Sequence, residues 1–322
     1  LKIFKHQNLL LMKFFIRLMI LFITLIVLNA PLSAQNENQL LGRWDLKIEK
    51  DGTKLPSWLE IRKSGHQTLV GRFVYAFGSA RPVAHIEQIS NSFHFNIPVQ
   101  WEAEEGKMEF KGELIEGKMH GQMVYVDGKA YKWTGSRAPR IKYTNNPVWG
   151  SPTKLFNDKD LTGWTATGKN QWTVENGILT SKASGANLVT DQKFTDFKLH
   201  LEFRYPKDGN SGVYLRGRHE VQVADNQGDA PSDIKFGGIY GFLEPNEMVA
   251  KAPGEWQAFD ITLIGNRVTV IANGKTIISD QIIPGITGGA LDSDEGEPGP
   301  IMLQGDHAPV EYRNIVITPI ME

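Results

Sequence analysis

The residues with the most chemical promise lie in Gly209-Asn210-Ser211-Gly212-Val213-Tyr214-Leu215-Arg216 and in the following Glu220-Val221-Gln222-Val223-Ala224-Asp225. Polar and ionisable side chains recur there at every second position, the period of a β-strand. Tyr214 and Arg216 fall on one face of the first run, and Glu220 and Gln222 on one face of the second. A sheet face that carries Arg, Glu and Gln in place of Val or Ile either meets water or lines a polar groove. In a groove, Tyr, Arg, Glu, Gln and Asp together suit a hydroxyl-rich ligand. His307 follows in Leu303-Gln304-Gly305-Asp306-His307, where a strand end runs into a loop and functional side chains often sit. Base chemistry therefore falls to Glu220 or His307. Arg216 could balance a developing negative charge, or simply pair with Glu202 or Glu220.

A second strand-like run sharpens the geometry. In Leu199 to Arg204, Leu199, Leu201 and Phe203 share one face, and His200, Glu202 and Arg204 the other. The apolar set belongs in a core, so Glu202 and Arg204 are expected on the outer face with Arg216 and Glu220. Met302 and Gln304 alternate in the same way. Gln222, Asp225, Arg204, Asn210, Lys251 and Gln304 are the expected hydroxyl contacts, and Tyr214, Tyr240 and Trp256 could supply an aromatic platform.

Composition narrows the function classes. The 322 residues carry 35 Lys and Arg against 36 Asp and Glu, without charge blocks, so no nucleic-acid partner is expected. The chain has no cysteine, which excludes disulfides, thiolate metal ligands, a cysteine nucleophile and a lipid-bearing lipobox cysteine. No Gly-rich phosphate loop, serine nucleophile elbow or zinc-ligand cluster is present, and no cofactor is expected. Leu291 to Pro300 is acidic and Gly-rich; such loops can bind calcium, but its spacing is not that of an EF-hand, and it reads as a mobile rim loop beside the groove.

The first 34 residues read as a secretory leader. Lys13 and Arg17 precede an apolar stretch from Leu18 to Leu28, and Leu32-Ser33-Ala34 offers cleavage before Gln35. The leader is best formed from Met12, the expected true start. A single membrane anchor is the alternative, but the apolar core is short for a span. A periplasmic or secreted protein with no membrane span in its mature form is expected.

Beyond the leader, glycine is abundant (32 residues) and long helix-period patterns are missing, which points to an all-β protein. Residues 39–140 contain short strand runs separated by Asp51-Gly52, Glu105-Gly106, Glu116-Gly117 and Asp127-Gly128, the spacing of a meander or small β-barrel. The opening Gly42-x-Trp44 resembles lipocalin-like barrels, in which the Trp plugs one end. Such a barrel either fills with side chains, as an accessory to its neighbour, or holds a small ligand. Residues 141–152, rich in Pro, Asn and Gly, read as a linker. Residues 153–320 hold many antiparallel strands without helices, including a hairpin signal at Asn273-Gly274, and suggest a two-sheet jelly-roll sandwich.

Across that second domain, several ordered blocks carry a family resemblance. They are Leu155-Phe156-Asn157-Asp158-Lys159-Asp160-Leu161-Thr162-Gly163-Trp164, Glu175-Asn176-Gly177, Gly209 to Gly217, Glu220 to Asp225, Gly254-Glu255-Trp256-Gln257 and Val310-Glu311-Tyr312-Arg313-Asn314-Ile315. Here the chain resembles the bacterial family named for 3-keto-disaccharide hydrolase activity, whose fold is like concanavalin A and laminin-G modules. The resemblance implies a carbohydrate substrate already oxidised at C3 by a separate sugar dehydrogenase. A ketone at C3 acidifies the C2 proton, so a base can remove it, the C1 substituent can leave by elimination, and water can add back. That chemistry needs a tuned base, a cationic or hydrogen-bonding partner for the enolate, and an acid for the leaving oxygen. A divalent metal polarising the 3-keto oxygen through Glu220, Asp225 and His307 is a possible variant. A non-catalytic carbohydrate-binding protein is the alternative reading of the same fold.

Overall fold

In the computed structural model, residues 38–321 are described, Ala103 excepted. The leader assigned to residues 1–34, with its cleavage point, lies outside them. Every regular element among the described residues is a β-strand, and none is a helix long and apolar enough to cross a membrane. The all-β expectation holds.

The first eight strands close into an antiparallel barrel: β1 (Gly42–Lys50), β2 (Thr53–Ser64), β3 (Thr68–Val74), β4 (Arg81–Ile89), β5 (Ser92–Pro98), β6 (Lys107–Ile115), β7 (Lys118–Val124) and β8 (Ala130–Arg137), with β8 returning to pair with β1. Asp51 and Gly52 make the first hairpin with φ of 51° and 78°, the primed-turn geometry that follows strand twist. Strict alternation sends Phe93, Phe95 and Ile97 of β5 inward and Ser92, His94 and Asn96 outward. Trp44, Phe73, Phe95, Phe110 and Trp133 fill the interior, so the barrel has a packed core in place of a ligand cavity. Trp44 donates its indole N–H to the Leu40 carbonyl (2.9 Å) beneath the Arg137 guanidinium.

The remaining strands are β9 (Thr153–Lys154), β10 (Trp164–Ala166), β11 (Trp172–Glu175), β12 (Ile178–Ser181), β13 (Leu188–Thr190), β14 (Phe197–Arg204), β15 (Asn210–Leu215), β16 (His219–Ala224), β17 (Gln257–Ile264), β18 (Arg267–Ala272), β19 (Lys275–Ile282), β20 (Met302–Leu303) and β21 (Val310–Pro319). They build two sheets. One has the order β10-β13-β20-β15-β16; the other runs β11-β12-β21-β14-β17-β18-β19, with β9 pairing on β21. The jelly-roll core between them takes Val213, Leu215, Val221 and Val223 from one sheet and Leu199, Leu201, Phe203, Phe259 and Ile261 from the other. Both sheets thus turn their polar alternates outward, on opposite sides of the sandwich.

Barrel and sandwich belong to one compact unit. Trp58 lies edge-on to Phe242 at 5.5 Å and joins Val74, Ile286 and Ala290 in a small apolar cluster. The acidic segment is not a mobile rim. Ser293 and Glu295 are buried, Ser293 donates to the Leu46 carbonyl of β1 (2.7 Å), and Asp294 pairs with Lys47. Glu295 meets Asp45 of β1, and burial together with that neighbour raises the Asp45 carboxyl well above the ordinary carboxylate range. Asp294 and Glu295 thus face the barrel, while Asp292 pairs with Arg218 within the sandwich.

Candidate functional site

Outward from β15 and β16 the chain builds a recess of about 420 Å³. Tyr214 lies opposite Glu220 and Gly212 opposite Gln222 in the β15–β16 register, while Met302 of β20 pairs with Tyr214 on the other side. Asn210, Tyr214, Glu220, Gln222 and Gln304 line the recess, and the loop after β20 adds Asp306 and His307. Tyr240, Gly288 and Gly289 come from two sandwich loops. Three further residues, Phe77, Gly78 and Trp101, belong to the barrel. A larger groove of about 660 Å³ runs over the outside of the barrel, past Glu87, His94, Lys111, Gln122 and Lys132. Those are exposed strand residues with no buried ionisable side chain among them, so the smaller recess is the better candidate.

Glu220 is the centre of the recess electrostatics. Its side chain is 4% exposed, and burial pushes its pKa up to about 8. The Tyr214 hydroxyl and the charge of His307 act the other way, and neither offsets the desolvation. Tyr214 Oη stands 2.9 Å from Glu220 Oε2 and 2.9 Å from the Gly288 carbonyl. Its single proton can serve either acceptor, so it suits both the ionised and the neutral carboxyl. Space for the carboxyl comes from Gly212: a Cβ there would lie 2.2 Å from Glu220 Oε1.

His307 Nδ1 lies 2.6 Å from Asp306 Oδ1, which leaves Nε2 as the nitrogen for a ligand. Asp306 draws the imidazole pKa upward, against partial desolvation. Around this pair stand two buried amides. Gln222 donates Nε2–H to Asn210 Oδ1 (3.2 Å), and Gln222 Oε1 and Gln304 Oε1 have no donor although both residues are more than nine-tenths buried. Buried acceptors without partners are costly, and a ligand hydroxyl is the group that relieves them.

The structure leaves several expected residues elsewhere. Arg216 would share the face of Tyr214 had β15 continued, but the strand ends at Leu215. Arg216 takes a left-handed φ of 53° in the turn, is 3% exposed, and donates Nη2–H to the Gly265 carbonyl (2.6 Å). Glu202 and Arg204 lie on β14, in the other sheet, and so on the opposite outer face. Glu202 accepts from Arg313 (2.6 Å) and Asn314 (2.8 Å), and Arg204 pairs with Glu311. Trp256 stacks under Arg313 and Arg204, and Lys251 donates to the Trp256 carbonyl (2.9 Å). Asp225, just past β16, accepts the Asp208 N–H (2.9 Å). The trio Glu220, Asp225 and His307 is therefore not assembled as a metal site, and among the described residues no group of three or more His, Cys, Asp or Glu is placed to hold one.

Six residues of the recess are not read from the sequence, among them Gly288 and Gly289, which carry no signal of their own. Asp306 had a signal, since a carboxylate beside a histidine is a familiar orienting pair. Phe77, Gly78 and Trp101 had only a faint one, as aromatics in turn-rich segments between barrel strands.

Residues 151–318 match the model of a family described as the 3-keto-alpha-glucoside-1,2-lyase-like domain. A 3-keto-disaccharide hydrolase of Bacteroides thetaiotaomicron is 25% identical, over 38% of this chain and 56% of its own length; the match thus spans about half of that relative. Among solved structures, a Parabacteroides distasonis protein assigned as a glycosyl hydrolase is similar at 29% identity and a TM-score of 0.47, covering 56% of this chain and 93% of that one. A carbohydrate-binding module from Bacillus subtilis is similar at 15% identity and a TM-score of 0.31, covering 54% and 98%.

Proposed function

Since this chain belongs to the 3-keto-alpha-glucoside-1,2-lyase-like family, we propose that it cleaves the C1–O bond of 3-keto-glycosides by elimination, followed by hydration. The observation that carries the reading is Glu220: one buried carboxyl, raised to about 8, between a hydroxyl and a histidine, facing unpartnered amide oxygens. Ionised Glu220 takes the C2 proton, and the electron pair passes into the C3 carbonyl as an enolate. A carboxylate with so high a pKa is a stronger base than an exposed one, which suits a carbon acid. The enolate then re-forms the ketone, C1=C2 forms, and the C1–O bond breaks. His307, held by Asp306, gives its Nε2 proton to the leaving oxygen. Water adds its oxygen to C1 and a proton to C2, so the balance is that of a hydrolysis.

With Arg216 outside the recess, the amide N–H groups of Asn210, Gln222 and Gln304 are the donors for the C3 oxygen and the ring hydroxyls. The alternative, direct hydrolysis, needs two carboxyls across the anomeric carbon. Here the second carboxyl of the recess, Asp306, is engaged by His307. The oxidised ring must be supplied by a separate dehydrogenase acting on a C3 hydroxyl, and the leader over residues 1–34 would deliver the chain to the periplasm or beyond.

The test is turnover of p-nitrophenyl 3-keto-α-glucoside against the unoxidised glucoside. Release of nitrophenol from the keto compound alone is expected, with kcat rising as pH climbs towards 8 and Glu220 ionises. Binding of both without turnover would leave a carbohydrate-binding protein; turnover of the unoxidised glucoside would overturn the eliminative route.

A further inference from the structure

The recess has two chemically distinct ends. The sandwich contributes carboxyl, imidazole and amide groups; the barrel contributes two aromatic rings. Trp101 is 63% exposed and Phe77 39% exposed, whereas Phe73, Phe95, Phe110 and Trp133 of the same barrel are buried. We propose that Trp101 and Phe77 form the subsite for the leaving group, so that the chain selects glycosides whose leaving group is a ring with an apolar face. This rests on the eliminative reading above and names the half of the substrate that reading leaves open.

The two aromatic side chains are exposed yet held in place. Gln100 accepts the Ser79 N–H (2.9 Å) and donates to Ser79 Oγ (2.7 Å), tying the Trp101 segment to the Phe77 segment. Beneath them, Arg81 and Glu102 form an ion pair at 2.9 Å with side chains 5% and 0% exposed, and Glu102 also accepts the backbone N–H groups of Gln100 and Trp101. Tyr75 meets the Phe77 ring edge-on at 5.0 Å. Tyr240 lines the recess beside Trp101. The platform is also fixed relative to the base. Gly289 donates its N–H to the Ala76 carbonyl (2.8 Å), and a Cβ on Gly288 would lie 2.2 Å from the Gly78 carbonyl oxygen. The same pair of glycines borders Tyr214, whose hydroxyl holds Glu220.

A preorganised aromatic surface binds the C–H face of a ring at little entropic cost. The volume of about 420 Å³ lies towards the lower end of the roughly 300–1,000 Å³ typical of small-molecule pockets, enough for one ring and a ring-sized substituent. Polar groups at one end would orient the oxidised ring, and the aromatic end would read what is attached to it.

Affinity separates this inference from the chemistry. In full-length Glu220→Gln protein, calorimetry with phenyl and methyl 3-keto-α-glucosides should show the phenyl compound bound about tenfold more tightly. Adding Trp101→Ala should remove most of that preference, Phe77→Ala part of it, and Trp101→Phe little. No phenyl preference in the parent, or a preference that survives Trp101→Ala, would overturn the proposal whatever the turnover result. A clear preference in a protein that never turns over the keto-glucoside would uphold the subsite and sink the elimination.

Discussion

The two outer faces of the sandwich carry the same kinds of residue at the same alternate positions, and they put them to different use. On the β14 and β21 face, Glu202 answers Arg313 and Asn314, Arg204 answers Glu311, and His200 lies 2.7 Å from Asp260. These are partly exposed pairs, each worth roughly 0–1 kcal/mol. On the β15 and β16 face, among the described residues no lysine or arginine pairs with Glu220, which is buried against the Tyr214 hydroxyl, and two amide oxygens are buried without donors. One face has spent its polar groups on one another, and the other holds them available at a cost in stability. Unsatisfied burial, more than residue type, marks the site.

The contrast is broken most severely at its centre. Glu220→Gln should lower kcat on a 3-keto-glucoside by about 10³-fold, near the middle of the range for a lost general base, with little change in KM. The same variant has a stability signature. The native carboxyl keeps its proton between its ordinary value of 4.5 and about 8 while the unfolded chain loses it, so wild-type stability falls as pH rises across that window. Melting temperature measured from pH 5 to 9 should therefore drop in wild type and stay flatter in Glu220→Gln. His307→Ala should cost about 10² in kcat, most of it regained with a leaving group that needs no proton, such as p-nitrophenolate. Gly212→Ala puts a methyl where the Glu220 carboxyl lies and should cost about tenfold in kcat/KM, reported by steady-state kinetics. At the other extreme, Glu202→Gln and Arg204→Met should leave turnover within about twofold and stability within about 1 kcal/mol. A large loss of activity from either would erase the distinction between the faces.

Alternation made each strand's inner and outer residues legible in the sequence: Val213, Leu215, Val221 and Val223 inside, Tyr214, Glu220 and Gln222 outside. It could not say which sheet a strand would join. Glu202 was grouped with Glu220 because both read as outward, yet β14 pairs with β17 and β21 and so faces away. Arg216 failed for a local reason: a single left-handed residue ended the strand and turned its side chain inwards. The acidic run at 291–300 reads as a mobile rim because it is charged and Gly-rich, and only the long-range contacts with Asp45, Lys47 and Arg218 show it held in place. The barrel's part in the recess was the least readable feature, since residues 77–101 and 210–307 meet there through tertiary packing alone.

The close approach of Gly288 to Gly78 has a bearing on how such a molecule can diversify. A side chain at Gly288 would displace the Gly78 backbone, and one at Gly78 would run into Gln100 and Trp101 of the barrel, so change at this crossing disturbs the aromatic platform from either side. A library that randomises the sandwich alone would explore new sugars against an unchanged aromatic jaw. Varying both loops in concert, with the two glycines kept, is the route to an altered range of glycosides.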